Sequence, residues 1–292
     1  MRDLKGKVAV VTGGASGVGL ALVRLLGQQG MKIAIADIDQ AALDATVAEL
    51  TAAGVPAIGV KADVTKAESV DALADKVFAA YGNVHLLFNN AGVGLGEAQR
   101  RIWTLPVKDW DWGFAVNLMG IVHGIRAFVP RMLEAGDEGM VINTSSANGG
   151  LFALPATPIY AATKAAVTAL TETLQFQFLM DKTRLRAAVL FPGPNVVNTR
   201  IHTSARVRPQ EFASGNGESK PAPYNTMREL VEATGLKMAL TEPEDVASFA
   251  LESVQADRFW MFPPSDAHNA ILRRRVENII ERGDLPIPNM GI

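Results

Sequence analysis

"KVAVVTGGASGVGLALVRLLGQQG", residues 7–30, is the stretch whose reading decides the fold. Residues 7–11 form a short, continuous apolar run rich in valine, as expected of a strand buried on both faces. The run enters "TGGASGVG" (12–19) directly and then becomes the helical pattern "LALVRLLGQQG". Gly13, Gly17 and Gly19 permit a tight turn, a close approach of backbone to a pyrophosphate, and close packing of helix on strand. Amide N–H groups at the helix start would hold the phosphates. Any strand-to-helix turn can use glycine, so the turn needs its context, which is present: strand before, helix after, and an acid about twenty residues on. That acid, Asp37, ends the second apolar run, "KIAIAD" (32–37). It can cap the next helix, or its carboxylate can accept hydrogen bonds from the adenosine ribose and repel a 2′-phosphate. Ser16 is not basic, and Ile38 and Asp39 offer no cation. The pattern predicts NAD as the cofactor rather than NADP.

Further runs of the same kind follow: "AIGVKAD" (57–63), "HLLFNN" (85–90), "GMVINTSS" (139–146), "LRAAVLFP" (185–192) and "RFWMFP" (258–263). Helical patterns separate them, and that alternation implies an α/β fold with a doubly wound parallel sheet covered by helices on both faces. The helix opened by "TEPEDV" can be capped by Thr241, with Pro243 in its first turn. The segment 193–240, rich in Pro, Gly, Ser, Arg and Asn, breaks the alternation, and a loop this long in a compact domain is usually functional. Its place after the sixth strand, its "ASGNGES" tract and its prolines 221 and 223 predict a substrate lid, with Arg200 to Arg208 turned toward the far end of the substrate. The expected organisation is one domain over 1–292, with 193–240 as that lid and 264–292 as a C-terminal extension.

The 292 residues are 48% hydrophobic and carry a net charge of -2, with no basic tract that would mark a nucleic-acid partner. There is no cysteine, which excludes disulfides, thiolate catalysis and cysteine-bound metal. The four histidines, His85, His123, His202 and His268, do not share metal-ligand spacing, so no metal is expected. The N-terminus enters a core-like strand without room for a signal peptide. No apolar run approaches the roughly 20 residues of a membrane span. A soluble, cytoplasmic protein with no membrane or nucleic-acid partner is the resulting expectation.

"IYAATKAAV" (159–167) is a helix by propensity, and it places Tyr160 and Lys164 four positions apart on one face. A tyrosine at the edge of a core beside a lysine reaching water accounts for the pair. So does an acid–base device, because a phenol of pKa about 10 becomes a usable base near neutrality when an ammonium stands beside it.

Taken in order, "TGGASGVG", "DV" (63–64), "NNAG" (89–92), Asn117 in "AVNLMG", "NTSS" (143–146), "YAATK" (160–164) and "PG" (192–193) resemble the short-chain dehydrogenase/reductase family over residues 7–200. The resemblance implies a single Rossmann-type domain and a catalytic set of Asn117, Ser146, Tyr160 and Lys164. Tyr160 would take the proton of a substrate alcohol, Ser146 would hydrogen-bond the substrate oxygen, and Lys164 would serve both the phenol and the nicotinamide ribose. Asn117 would hold a water linking Lys164 to solvent, and Ser145 would take any turn or cap duty. Cofactor contacts would come from Gly13, Ser16, Gly17, Val18 and Gly19 at the turn, and from Asp37 and Ile38 after the second strand. Asp63 and Val64 would hold the adenine, Asn90 and Gly92 would approach the ribose, and Pro192, Val197 and Thr199 would lie at the nicotinamide. "PGPNVVNT" carries two more residues than the family pattern it resembles, which offsets the last assignment.

The expected function is interconversion of a secondary alcohol and a ketone by a homodimer or homotetramer. The apolar segment "LFALPATPI" and Phe191 favour a hydrophobic or aryl-bearing substrate. "PGPNVVNTRIHTSARVRPQEFASGNG" and "AVNLMG" are similar to bacterial Cα-dehydrogenases that oxidise benzylic alcohols of lignin-derived aryl ethers. A dinucleotide-sensing binding protein would need no acid–base group, and a sugar-nucleotide epimerase or dehydratase would need a larger C-terminal substrate region. His202 in the long loop is read as solvated or as a substrate contact, and Trp103, Trp110 and Trp112 as packing or subunit interface.

Overall fold

Seven parallel strands make the central sheet of the computed structural model, which describes residues 1–98, 100–213 and 224–285. In chain order they are β1 (Val8–Thr12), β2 (Lys32–Asp37), β3 (Ala57–Lys61), β4 (Leu86–Asn89), β5 (Gly139–Thr144), β6 (Leu185–Leu190) and, after a separate two-residue ladder of β7 (Val196–Val197) with β8 (Leu240–Thr241), β9 (Trp260–Met261). Their spatial order is β3-β2-β1-β4-β5-β6-β9, so the winding reverses between β1 and β4. All seven expected strands are present, and a crevice opens at the carboxyl ends of the strands where the order reverses.

The helices are α1 (Gly17–Gln28), α2 (Gln40–Ala52), α3 (Ala67–Tyr81), α4 (Val107–Phe114), α5 (Gly120–Ala135), a short turn α6 (Ala147–Gly150), α7 (Pro158–Met180), α8 (Met227–Thr234), α9 (Pro243–Gln255) and α10 (Asp266–Glu281). Alternate residues of the strands feed two cores. Val11, Ile33 and Ile35 pack with Leu22, Leu26 and Val246 on one face; Val10, Ala34 and Leu87 pack with Leu73, Phe128 and Phe178 on the other. Every residue of β1 is therefore buried, as a strand covered on both faces requires.

Several expectations change. Thr241 does not cap α9: it lies in β8, its hydroxyl accepts from the Asn195 N–H at 3.1 Å, and Glu242 precedes Pro243 at the helix start. Phe191 does not line a substrate site. It is 1% exposed, stacks on Trp260 at 6.1 Å and meets Phe262 edge-on at 5.9 Å, in a cluster that includes Leu151 and Phe152 and is covered by Ile271 and Leu272 of α10. The C-terminal helix thus closes over side chains that would otherwise be open. Residues 107–135 join into one helical rod of 29 residues whose most apolar 18-residue window has a mean hydropathy of 1.3, long and apolar enough to cross a membrane by length and composition. Its most apolar window is 56% buried inside the molecule, as in a core helix. Residues 214–223, with prolines 221 and 223 and most of "ASGNGES", and residues 286–292 of the expected extension lie outside the described residues.

The rod approaches the sheet at Gly124, where a Cβ would lie 2.1 Å from Asn89 Oδ1. Gly124→Ala must push α5 off β4, so we expect a loss of at least about 1–3 kcal/mol of unfolding free energy in urea titration. An unchanged midpoint would contradict this packing.

Candidate active site

The crevice floor is the glycine turn. Gly19 belongs there because a Cβ would fall 2.0 Å from the Gly13 carbonyl oxygen and 2.8 Å from Asn90 Nδ2. Helix and turn touch through backbone, as close approach to a phosphate needs. Ser16 sits at the N-cap of α1 without a side-chain cap bond, and the first turn, with Gly17 and Val18, carries no acid. The amides at this helix start therefore have no side chain of their own occupying them, and they fit a diphosphate.

Asp37 does not cap a helix. Asp39 holds that position, its side chain accepting from Ala42 N–H at 3.2 Å. The Asp37 carboxylate instead accepts from Ala15 N–H at 3.0 Å and from Asp39 N–H at 3.1 Å, which joins the end of β2 to the turn and fixes Ile38 between them. Asp63 accepts from the N–H and hydroxyl of Thr65 at 2.9 and 2.7 Å, and the Val64 carbonyl lies 2.9 Å from His123 Nδ1, which gives that histidine a structural partner. Asn90 donates to the Thr12 carbonyl at 3.2 Å and receives from the Thr144 hydroxyl at 3.4 Å, tying β1 and β5 together at the strand ends.

The four residues of the expected catalytic set meet on the opposite side of Gly92. A Cβ at that glycine would lie 3.4 Å from Asn117 Oδ1 and 3.6 Å from Lys164 Nζ. Asn117 lies in a π turn (Ala115–Met119) between α4 and α5, which explains an asparagine inside a helical rod: the widened turn aims its amide inward. Its Oδ1 accepts from Val93 N–H at 2.8 Å, while Nδ2 donates to the Val93 carbonyl at 3.2 Å and to the Thr163 hydroxyl at 3.3 Å.

Tyr160 and Lys164 stand one turn apart near the start of α7, and Ser146 sits at the head of α6 with no cap bond of its own. The Ser146 hydroxyl faces the Tyr160 phenol. Burial pushes that phenol above its ordinary pKa, and the nearby Ser146 hydroxyl works against the rise. Lys164 is 3% exposed; burial draws its ammonium down to about 8, its Nζ donates to the Thr144 carbonyl at 2.8 Å, and it lies 5.5 Å from the centre of the Tyr160 ring. Burial is the leading cause of both shifts. Ser145 neither caps nor turns: its hydroxyl donates to the Lys164 carbonyl at 2.8 Å and meets Thr168 Oγ1 at 2.8 Å, fastening α7 to β5.

After β6, beyond Pro192, the chain doubles back over the crevice. Val197 pairs with Thr241, and Thr199 Cγ2 lies 3.0 Å from where a Gly17 Cβ would be. Thr199 therefore sits against the glycine turn. The Ser204 hydroxyl receives the Gly94 N–H at 3.2 Å. Arg206 Nη1 donates to the Thr203 carbonyl at 3.2 Å, within its own segment, and Arg208 pairs with Asp109 at 2.8 Å and lies 4.8 Å from the Trp112 ring. Arg208 thus ties the segment to α4. His202 Nε2 meets the Tyr224 carbonyl at 3.1 Å, a link inside the segment. Trp112 is buried and Trp103 is 80% exposed. Among the described residues no group of three or more His, Asp or Glu side chains is placed to hold a metal. One acid in this region had no signal in the sequence: Glu97, 1% exposed, bonded to the start of α7.

Comparison with known proteins agrees with this geometry. A short-chain dehydrogenase/reductase from Burkholderia phymatum, solved in complex with NAD, is 37% identical, covers 99% of both chains and superposes with a TM-score of 0.87. The C alpha-dehydrogenase of Sphingobium sp. (strain SYK-6) is 30% identical over 96% of this chain and 88% of its own. A 1-deoxy-11-beta-hydroxypentalenate dehydrogenase of Streptomyces exfoliatus is 34% identical over 98% of this chain and 93% of its own. The family model for short chain dehydrogenases matches residues 7–209. Since that match takes in the glycine turn, Ser146, Tyr160 and Lys164, the chain belongs to the short-chain dehydrogenase family.

Proposed function

We propose that this oxidoreductase uses NAD to interconvert a secondary alcohol and the corresponding ketone, with Tyr160 as the acid–base group. The observation that carries the reading is the convergence of the Ser146 hydroxyl, the Tyr160 phenol and the buried Lys164, whose Nζ lies 5.5 Å from the centre of the Tyr160 ring. NAD, when bound, supplies the hydride acceptor. The start of α1 from Gly13 to Gly19 would hold the diphosphate, Asp37 and Ile38 the adenosine ribose, and Asp63 and Val64 the adenine. Asn90, Gly92, Pro192 and Val197 would border the nicotinamide half, while the position of Thr199 against Gly17 supports a phosphate contact.

A substrate oxygen set between the Ser146 and Tyr160 hydroxyls takes a hydrogen bond from each in the ketone direction. In the alcohol direction Tyr160 Oη accepts the hydroxyl proton, and Ser146 stabilises the charge that develops on oxygen. The Lys164 ammonium favours the phenolate against the burial that opposes it. The similarity to a C alpha-dehydrogenase supports a hydrophobic or aryl-bearing alcohol. Within a single domain, the segment 193–240 acts as the lid, and its bonds to Gly94 and Asp109 support that role.

Incubation with NAD and a panel of secondary alcohols, followed by absorbance of the reduced cofactor, tests the reading. Tyr160→Phe is expected to slow turnover by about 10²–10⁴-fold with NAD affinity intact; turnover near the parent rate refutes the assignment.

Ser146→Ala removes the donor that stabilises the phenolate, so the rising limb of alcohol oxidation against pH should move to higher pH while the plateau falls about 10²–10³-fold. A shift to lower pH would show that Ser146 does not act on Tyr160.

Asp37→Ala is expected to weaken NAD binding, since the bond to Ala15 N–H is lost, and to relax discrimination against NADP by removing the repelling carboxylate. Calorimetric titration with both cofactors measures it. A parent enzyme that prefers NADP overturns the cofactor reading.

A further inference from the structure

The α7 helix, which carries Tyr160, is capped from outside its own sequence. The first N–H groups of a helix have no intrahelical acceptor, and the residue before the helix ordinarily supplies one. Thr157 holds that position but makes no side-chain cap bond; its hydroxyl receives Asn148 Nδ2 at 2.7 Å instead. Pro158, at the first helical position, has no N–H. The next two donors are the N–H groups of Ile159 and of Tyr160 itself, and both go to one carboxylate: Glu97 Oε2 at 2.7 Å and Oε1 at 2.9 Å, from 62 and 63 residues upstream.

Glu97 is 1% exposed, and a buried carboxylate is costly to keep unless its oxygens are paired. Here each oxygen has one amide, and the charge faces the positive end of a helix. Its charged surroundings are Arg100 and Asp109. Asp109 in turn takes Arg100 at 3.6 Å and Arg208 of the lid segment at 2.8 Å. The clamp therefore joins three parts: the loop after β4, the lid, and the backbone of the residue that must aim a phenol at Ser146.

We propose that Glu97 is a positioning residue for Tyr160, its two-armed grip on the Ile159 and Tyr160 amides fixing where α7 begins and so where the phenol oxygen lies. The Glu97 carboxylate bonds the backbone of Ile159 and Tyr160 and not the phenol. The inference rests on the reading of Tyr160 as the acid–base group, since only then does the aim of that ring set a rate.

The test compares full-length E97A and E97Q with the parent, with turnover expressed per NAD-binding site by titrating the sites first. E97A should lower kcat per site at least about tenfold, as small misplacements of a reacting group do, while the NAD dissociation constant stays at the parent value. E97Q keeps one acceptor oxygen but sets its amide nitrogen against the other N–H, so it should recover only part of the loss. Hydrogen–deuterium exchange over residues 157–163 should be faster in E97A and unchanged in α1. A kcat per site within about twofold of the parent, or fewer NAD-binding sites with unchanged kcat at each, overturns the proposal and leaves Glu97 as packing. Failure of the underlying reading looks different: Tyr160→Phe stays active, or the parent turns over no alcohol. The exchange measurement then decides the clamp alone, and equal rates over 157–163 in E97A and parent refute it.

Discussion

A buried ladder of side-chain hydrogen bonds joins the sheet to the helix that carries Tyr160. Asn89 Nδ2 donates to Asn143 Oδ1 at 2.8 Å, Asn143 Nδ2 to the Thr171 hydroxyl at 3.0 Å, and that hydroxyl to the Val167 carbonyl at 2.7 Å. The Ser145 bond to the Lys164 carbonyl and the Lys164 bond to the Thr144 carbonyl fasten the same helix further along. Sliding α7 by one residue would break the bonds of Asn143 to Thr171, of Ser145 to the Lys164 carbonyl and of Lys164 to the Thr144 carbonyl at once, each at the cost of an unpaired buried polar atom. The helix consequently has one register on the sheet, and the meeting of Tyr160 with Ser146 depends on it.

Burial acts on the two titrating groups of the site in opposite senses. It raises the phenol of Tyr160 and lowers the ammonium of Lys164 to about 8, so the enclosed pair moves toward its neutral forms. Ser146 is the group in the structure that works against this for Tyr160. Closeness of a lysine is therefore only part of how such a phenol is tuned; the serine hydroxyl beside it matters as well.

The segment after β6 is less a free flap than a strap with several fixings. Thr199 lies at the glycine turn, Ser204 at Gly94, Arg208 at Asp109, and Glu211 pairs with Lys66 at 2.7 Å. These fixings reach both the adenosine side and α4. Asp109, 3% exposed, is where the strap and the loop carrying Glu97 share a charge.

The strands, their parallel arrangement, the glycine turn and the Tyr160–Lys164 pair were legible because each is local: apolar runs, glycines at a turn, and two residues one helical turn apart. Sequence by itself determined the α/β winding and which residue types stand at the strand ends. What it could not contain are relations between distant segments. Phe191 reads as lining until α10 covers it, and Thr241 reads as a helix cap until its hydroxyl takes the Asn195 N–H in the β7–β8 ladder. Glu97 reads as a loop acid, because nothing near it in the chain announces that it will meet the start of α7 more than sixty residues later. Helix and strand follow from neighbours along the chain, whereas the partner of a buried polar atom follows from which segments the closed core brings together, and only the tertiary structure decides that.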